Sequence, residues 1–291
     1  MTDDTDAAAR GWFVGLEADD TEAASRAIRE GTAAEPADWP RLAVESGFAD
    51  SETDYYNRLH EATVQSTSTH ARALEQADDK QLLHAVRAMD DATRTANELA
   101  ERLSEWAGTL FDEAPSGIEE ARELADREPT TPLEARVISL AERVEGLAAE
   151  ADDLQAFIDQ QAPKIAPNLS TMAGPVLAAR LIALGGGLEQ LAKKPSGTVQ
   201  VLGAEDALFA HLAGRGSSPK HGIIYTHEYV NGTRPADRGS AARAFAGKLS
   251  IAARIDHYSG ELKPEIHSEL DERMATIRAR GADNTTEEAT Q

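Results

Sequence analysis

Cysteine is absent from the 291 residues, which excludes a disulfide framework and any thiolate metal site. Aromatic residues are scarce at 5 %, so a core must be assembled from aliphatic and small side chains. Lysine is also rare, supplying only 7 of 29 basic residues beside 51 acidic ones. Long apolar runs are missing too. The longest, residues 172–188, is interrupted by Arg180, Gly185, Gly186 and Gly187 and reads as a buried helix, not a membrane span. No apolar N-terminal stretch precedes a cleavage site, so the expectation is a soluble cytoplasmic protein.

What is present favours helices. Ala, Leu, Glu, Arg and Gln are abundant, and the length suggests roughly two domains. The net charge of −22, with so little lysine, resembles the acidic proteins of salt-in halophilic archaea; an ordinary acidic cytosolic protein is the alternative. One window runs against that charge. Residues 164–280 hold 15 Lys plus Arg against 11 Asp plus Glu, a net of +4, which leaves −26 for the rest of the chain. Basicity concentrated inside an acidic protein points to a polyanionic partner.

Residues 1–50 are weakly patterned, with too little apolar material for a core of their own; Trp12 to Leu16 could form one short strand. From Asp79 onward, Leu82, Val86, Met89, Ala92, Ala96, Leu99, Leu103, Trp106 and Leu110 recur every three or four residues. That is one face of a long helix ending before Pro115. Thr131, Pro132 and Glu134 then provide an N-cap, a first-turn proline and a capping-box acid. Behind them Leu133, Val137, Leu140, Val144, Leu147, Ala151, Leu154 and Ile158 form a heptad stripe, on the order of 38 Å long at 1.5 Å per residue. Such a seam demands a partner. An antiparallel hairpin with the first helix supplies one, and a second chain is the rival. The expected architecture is therefore mainly α. It comprises a short, weakly structured N-terminal region (1–50), a long antiparallel helical hairpin or coiled coil (51–163), a compact all-helical domain (164–280) and a disordered acidic tail (281–291).

Within residues 162–258 the segments IAPNLSTMAGPVLAARLIALGGGLEQLAKKPSGTVQVLGAE, PKHGIIYTH and KLSIAARIDHYSG resemble the Nop domain, found in the core scaffold protein of archaeal box C/D ribonucleoproteins and in a spliceosomal relative. Upstream, AVRAMDDATRTANELAERLSEW is similar to the helix that opens the family's coiled coil. The resemblance implies a non-catalytic scaffold that recognises kink-turn RNA together with a small ribosomal-like protein already bound to it. It implies self-association through the coiled coil as well. It further implies that fibrillarin, a methyltransferase, is positioned for RNA-guided ribose 2′-O-methylation of rRNA or tRNA. No cofactor of the chain's own and no membrane association are expected. Two departures stand out. Residues 1–50 are far shorter than the α/β domain by which family members hold fibrillarin, so that contact is either lost or rebuilt on helices. The connection between the long helices is shorter as well.

Carried onto this sequence, the resemblance assigns RNA or ribonucleoprotein contact to Gly203, Ala204, Glu205, Lys220, His221, Thr226, His227, Arg234, Arg238, Arg243, Lys248 and Arg254. Position 206 is Asp where the family has lysine; its carboxylate either faces the protein partner or weakens phosphate binding. Gly222 lets the backbone approach closely, and the His227 ring could stack on an unpaired base. Arg offers phosphate two parallel hydrogen bonds, which Lys cannot. Plainer structural roles compete. Arg254 and Asp256 could form an internal ion pair, Tyr225 reads as a core residue, and His211 reads as a packed histidine. The separations among His211, His221, His227 and Glu228 match no helical metal motif, and no nucleophile elbow is present. A kink-turn-binding protein with no part in methylation, and a purely structural coiled-coil scaffold, are the alternatives.

Overall fold

A computed structural model describes residues 11–17, 19–31, 37–113 and 116–288. Every regular element among the described residues is helical, which meets the mainly α expectation. Pro115 and residues 289–291 lie outside them. The chain divides into two compact units, Met1–Ala77 and Asp78–Gln291.

The first unit holds α1 (Thr21–Glu30), α2 (Trp39–Glu45) and α3 (Glu52–Glu75). Asp20 and Ser51 cap α1 and α3 by accepting from the amides of Ala23 and Asp54, each satisfying a donor that the helix leaves unpaired. Trp12 to Val14 form a turn and not the expected strand. Phe13, Ala43, Phe48, Ala49 and Tyr55 bury together, with Phe13 stacked on Phe48 at 5.4 Å. Residues 1–50 do not close this core alone: Tyr55 and Leu59 of α3 complete it.

The second unit begins with the expected hairpin, α4 (Asp78–Ala107) packed along α6 (Pro132–Ile165), with the short α5 (Ile118–Ala125) laid on α6 in the connection. Thr131 caps α6 through its Oγ1, 3.1 Å from the Glu134 amide, while the Glu134 carboxylate reaches back to the amide and hydroxyl of Thr130. Small residues dominate the seam. From α4 it takes Leu82, Val86, Met89, Ala92, Ala96, Ala100, Leu103 and Ala107. From α6 come Val137, Ala141, Val144, Ala148, Ala151, Ile158 and Ala162. This corrects the heptad reading in part. Val137, Val144 and Ile158 are buried as expected, but Leu140, Leu147 and Leu154 are half-buried at the flank and Leu133 is 47 % exposed. Alanine lets two helices approach closely, so the leucines are left at the rim.

The hairpin joins a helical block at the glycine triplet. Gly186 and Gly187 have φ of +90° and +119°, a conformation that costs other residues dearly. Asp79 Oδ2 accepts from the Leu188 amide at 2.8 Å, and Lys80 Nζ donates to the Gly186 carbonyl at 2.7 Å. The block consists of α7 (Pro167–Ala173), α8 (Pro175–Gly185), α9 (Leu188–Lys193), α10 (Ser196–Val201), α11 (Glu205–Leu212), a 3₁₀ turn (Ile223–Thr226), α12 (Glu228–Asn231), α13 (Arg238–Tyr258) and α14 (Pro264–Glu288). Its centre is α13, which buries Ala241, Ala242, Phe245, Ala246, Leu249, Ala252 and Ala253. Leu270, Met274 and Ile277 of α14 pack into the same core.

The expected Arg254–Asp256 ion pair does not form. Asp256, 6 % exposed, accepts from the amides of Asn168 and Leu169 at 2.9 Å each and from Asn168 Nδ2 at 2.6 Å, so it caps α7. Burial pushes its carboxyl up, against the pull of those donors. Arg254 Nε instead donates to the Ala192 carbonyl at the end of α9, at 3.2 Å. Residues 281–288, where the sequence suggests a disordered acidic tail, continue the backbone of α14. A helix already nucleated on a packed face extends at little cost through proline-free sequence. Among the described residues no helix is long and apolar enough to cross a membrane.

Leu103 is fully buried at the hairpin tip among Ala100, Ala107, Ala121, Leu124 and Val137. Leu103→Ala leaves a cavity there and should cost about 2–5 kcal/mol in urea unfolding; a loss below about 0.5 kcal/mol would contradict this packing.

Candidate nucleic-acid interface

The central feature is a turn pressed against the end of α10. The Gly222 amide donates to Gln200 O at 2.8 Å and the Ile223 amide to Leu202 O at 2.7 Å. A Cβ on Gly222 would lie 1.9 Å from the Leu202 carbonyl oxygen, so only glycine fits. Gln200 Nε2 donates to the Lys220 carbonyl at 2.7 Å. These bonds fix the backbone on which Lys220, His221 and Tyr225 stand.

Three cationic side chains converge beside this turn. His221 stacks on Tyr225 with ring centroids 4.5 Å apart and an 18° tilt. The Arg238 guanidinium lies 5.4 Å from the Tyr225 centroid, a favourable placement on an aromatic face. Arg238 also donates to the carbonyls of Thr233 at 3.0 Å and Asn231 at 3.2 Å. Lys220 Cδ is 3.9 Å from where a Cβ of Gly239 would stand, which sets Lys220 beside the first turn of α13. Arg243 is exposed one turn further along that helix, on the same face as Gly239. Among the described residues no carboxylate pairs with Lys220, Arg238 or Arg243. Burial, then Arg238 and Lys220, push the His221 imidazole below its ordinary value. Its neutral ring is therefore available for stacking.

Other expected residues are used internally. The His227 ring packs against Tyr229 and Phe245, each at 4.7 Å, and its Nδ1 accepts from the Tyr229 amide at 3.2 Å. It caps α12. Lys248 is paired with Glu269 and Arg254 with the carbonyls at the end of α9, so both serve packing. Arg234 binds Asp237 at 2.8 Å. Thr226 is exposed, its hydroxyl donating to Ile223 O at 2.9 Å. Gly203 and Ala204 form the turn into α11, and Glu205 Oε1 accepts from the Gly203 amide at 2.8 Å.

α11, which follows Gly203 packed near Ile223, buries none of its residues: Phe209 is 64 % and Leu212 71 % exposed. His211 is not packed. It is exposed, with Nδ1 3.0 Å from the Gly216 carbonyl, tying the following loop to α11. Asp206 stands exposed in the first turn, where a carboxylate suits the helix dipole. Tyr225, read from the sequence as core, is 37 % exposed. No local spacing marks it, since His221, which stacks on it, lies outside the 3₁₀ turn.

The His227 cap has a pH signature. Burial pushes its pKa below the ordinary 6.5, so the unfolded chain takes up the proton more readily than the folded one. The contribution is complete above pH 6.5 and is lost as pH falls through the unfolded value toward the depressed folded one. Wild type should therefore lose urea midpoint between pH 7 and pH 5 more steeply than His227→Gln, whose amide oxygen can still cap α12. Parallel profiles would contradict this placement.

Comparison with known proteins bears on this geometry. The family model described as "Nop: snoRNA binding domain, fibrillarin" matches residues 51–276. An uncharacterised NOP5 family protein of Methanocaldococcus jannaschii is 32 % identical over 262 residues, covering 77 % of this chain and 63 % of that protein. Nucleolar protein 58 of Scheffersomyces stipitis is 29 % identical over 245 residues, 69 % of this chain and 48 % of the relative. The chain thus spans between about half and two-thirds of the length of these relatives. The crystal structure of a fibrillarin/Nop5p complex contains a chain of like fold, with a TM-score of 0.52, 24 % identity, and coverage of 92 % of this chain and 99 % of that one. Because the family match takes in the hairpin, the glycine turn and the cationic face alike, the chain belongs to the Nop family.

Proposed function

We propose that this protein is a non-catalytic scaffold of a box C/D guide ribonucleoprotein. Its helical block grips kink-turn RNA together with the small protein bound to it. The observation that carries this reading is the convergence of Lys220, Arg238 and Arg243, free of carboxylate partners among the described residues, in a chain of net charge −22. Cations left unneutralised in such a chain suit phosphate. The outer face of His221, stacked on Tyr225, offers a platform for an unpaired base. The exposed apolar side chains of α11, Phe209 and Leu212, suit the companion protein, which makes the surface composite. Along the hairpin, the partly exposed leucines at 133, 140, 147 and 154 repeat every seven residues and suit a second copy of the chain.

In this reading the chemistry belongs to a partner. Fibrillarin, brought to a ribose by the scaffold and the guide, gains the rate advantage of correct placement, a term worth several kcal/mol. One observation favours the narrower reading of a kink-turn-binding protein without a methylation role. The family match begins at residue 51, and the N-terminal unit is a small helical assembly closed by its own aromatic core.

The test is a gel-shift titration of the full chain, in molar salt, against a kink-turn RNA preloaded with its small protein. The chain should supershift that binary complex and bind either component alone much more weakly. Lys220→Glu with Arg243→Glu should abolish the supershift and leave helical circular dichroism unchanged. Equal binding to free RNA and binary complex, or an unimpaired double variant, contradicts the composite surface. Capture of the chain by purified fibrillarin separates the scaffold from the narrower reading.

A further inference from the structure

α14 lies behind the cationic face, yet it holds the segment that builds that face. Tyr229 Oη donates to Asp271 Oδ1 and lies 3.2 Å from His267 Nε2. Arg278 Nη2 donates to the Glu228 carbonyl at 3.1 Å, across fifty residues of sequence. His267, Asp271 and Arg278 are spaced by four and seven, so they form one stripe, adjoining the apolar stripe of Leu270, Met274 and Ile277 that buries in the core. Arg278 falls beyond residue 276, where the family match ends.

The two stripes do different work. Apolar burial attaches α14 but has no directional preference. Hydrogen bonds are directional, and these end on Tyr229 and on the backbone of Glu228. Tyr229 is 9 % exposed, its ring edge-on to Phe245 at 5.4 Å and beside His227 at 4.7 Å. From Tyr229 the path runs through His227 to the 3₁₀ turn, which carries Tyr225, and so to His221 and Arg238. Burial and the Asp271 carboxylate raise the pKa of the Tyr229 hydroxyl, so it remains a donor at neutral pH.

We propose that Asp271 and Arg278 are positioning residues. They fix the angle at which Tyr225 and its cationic neighbours meet RNA, and set affinity without touching it. The inference rests on the RNA-binding reading above and identifies what tunes that surface from behind.

The experiment measures the affinity of the full chain for kink-turn RNA saturated with its small protein, at one salt concentration, with helicity followed in parallel. Asp271→Ala should weaken binding about tenfold, or about 1.4 kcal/mol. Tyr229→Phe should lose a similar amount, and the double variant no more than either alone, because both remove one interaction. Asp271→Asn keeps an acceptor and should recover most of the loss, whereas Arg278→Ala should weaken binding independently. Wild-type affinity in Asp271→Ala and Tyr229→Phe overturns the proposal and leaves the RNA reading standing. Additive losses with no recovery in Asp271→Asn overturn it as well, since they mark general loosening. Should Asp271→Ala fail to fold, the Tyr229→Phe and Asp271→Asn pair decides. Failure of wild type itself to bind removes the RNA reading, and this inference with it.

Discussion

Arg238 is held by two backbone carbonyls and the face of Tyr225, without a carboxylate. The proposed RNA surface depends on that arrangement. In a protein with 51 acidic residues, an arginine finds a carboxylate easily, and once paired it offers little to phosphate. Neutral acceptors fix the guanidinium in place while leaving its charge uncompensated. The same economy protects Lys220, whose backbone is pinned by Gln200 while its ammonium stays exposed. Glycine at 222 makes this possible, because any side chain would separate the turn from α10.

Charge is distributed with matching logic. Among the exposed charged side chains of the hairpin acids outnumber bases, and its ion pairs are mainly local, as between Arg122 and Glu119 or Arg94 and Asp91. Pairs of that exposed kind contribute little to stability. Cohesion comes instead from the small-residue seam and from the core around α13. In the proposed reading, the acids of the hairpin disfavour polyanions there, and the cations of the helical block favour them.

The hairpin was legible in the sequence because apolar residues at intervals of three and four have few other meanings. Which of them bury was less so. Pattern reading gives weight to leucine, and here Ala141 and Ala148 face inward while Leu133 stands out. Lys220, His221, Arg238 and Arg243 could be placed together from their segments. Lys248, Arg254 and His227 could not be sorted from them, since their partners Glu269, Ala192 and Phe245 lie on other elements. Tyr225 was misjudged for the opposite reason: flanked by Ile223 and Ile224, it looks internal by composition, yet a 3₁₀ turn buries Ile224 and leaves the tyrosine at the surface. Likewise, the anchoring of Tyr229 by α14 joins residues more than forty positions apart, which no local pattern reveals.

The central claim is that the exposed Lys220 and Arg243 neutralise phosphates. The most direct measurement is the salt dependence of binding to the preloaded kink-turn RNA, comparing wild type with Lys220→Gln plus Arg243→Gln. Two lost contacts should flatten the slope of log affinity against log salt by roughly 1.4–1.8 units, at about 0.7–0.9 per phosphate. An unchanged slope would contradict the account.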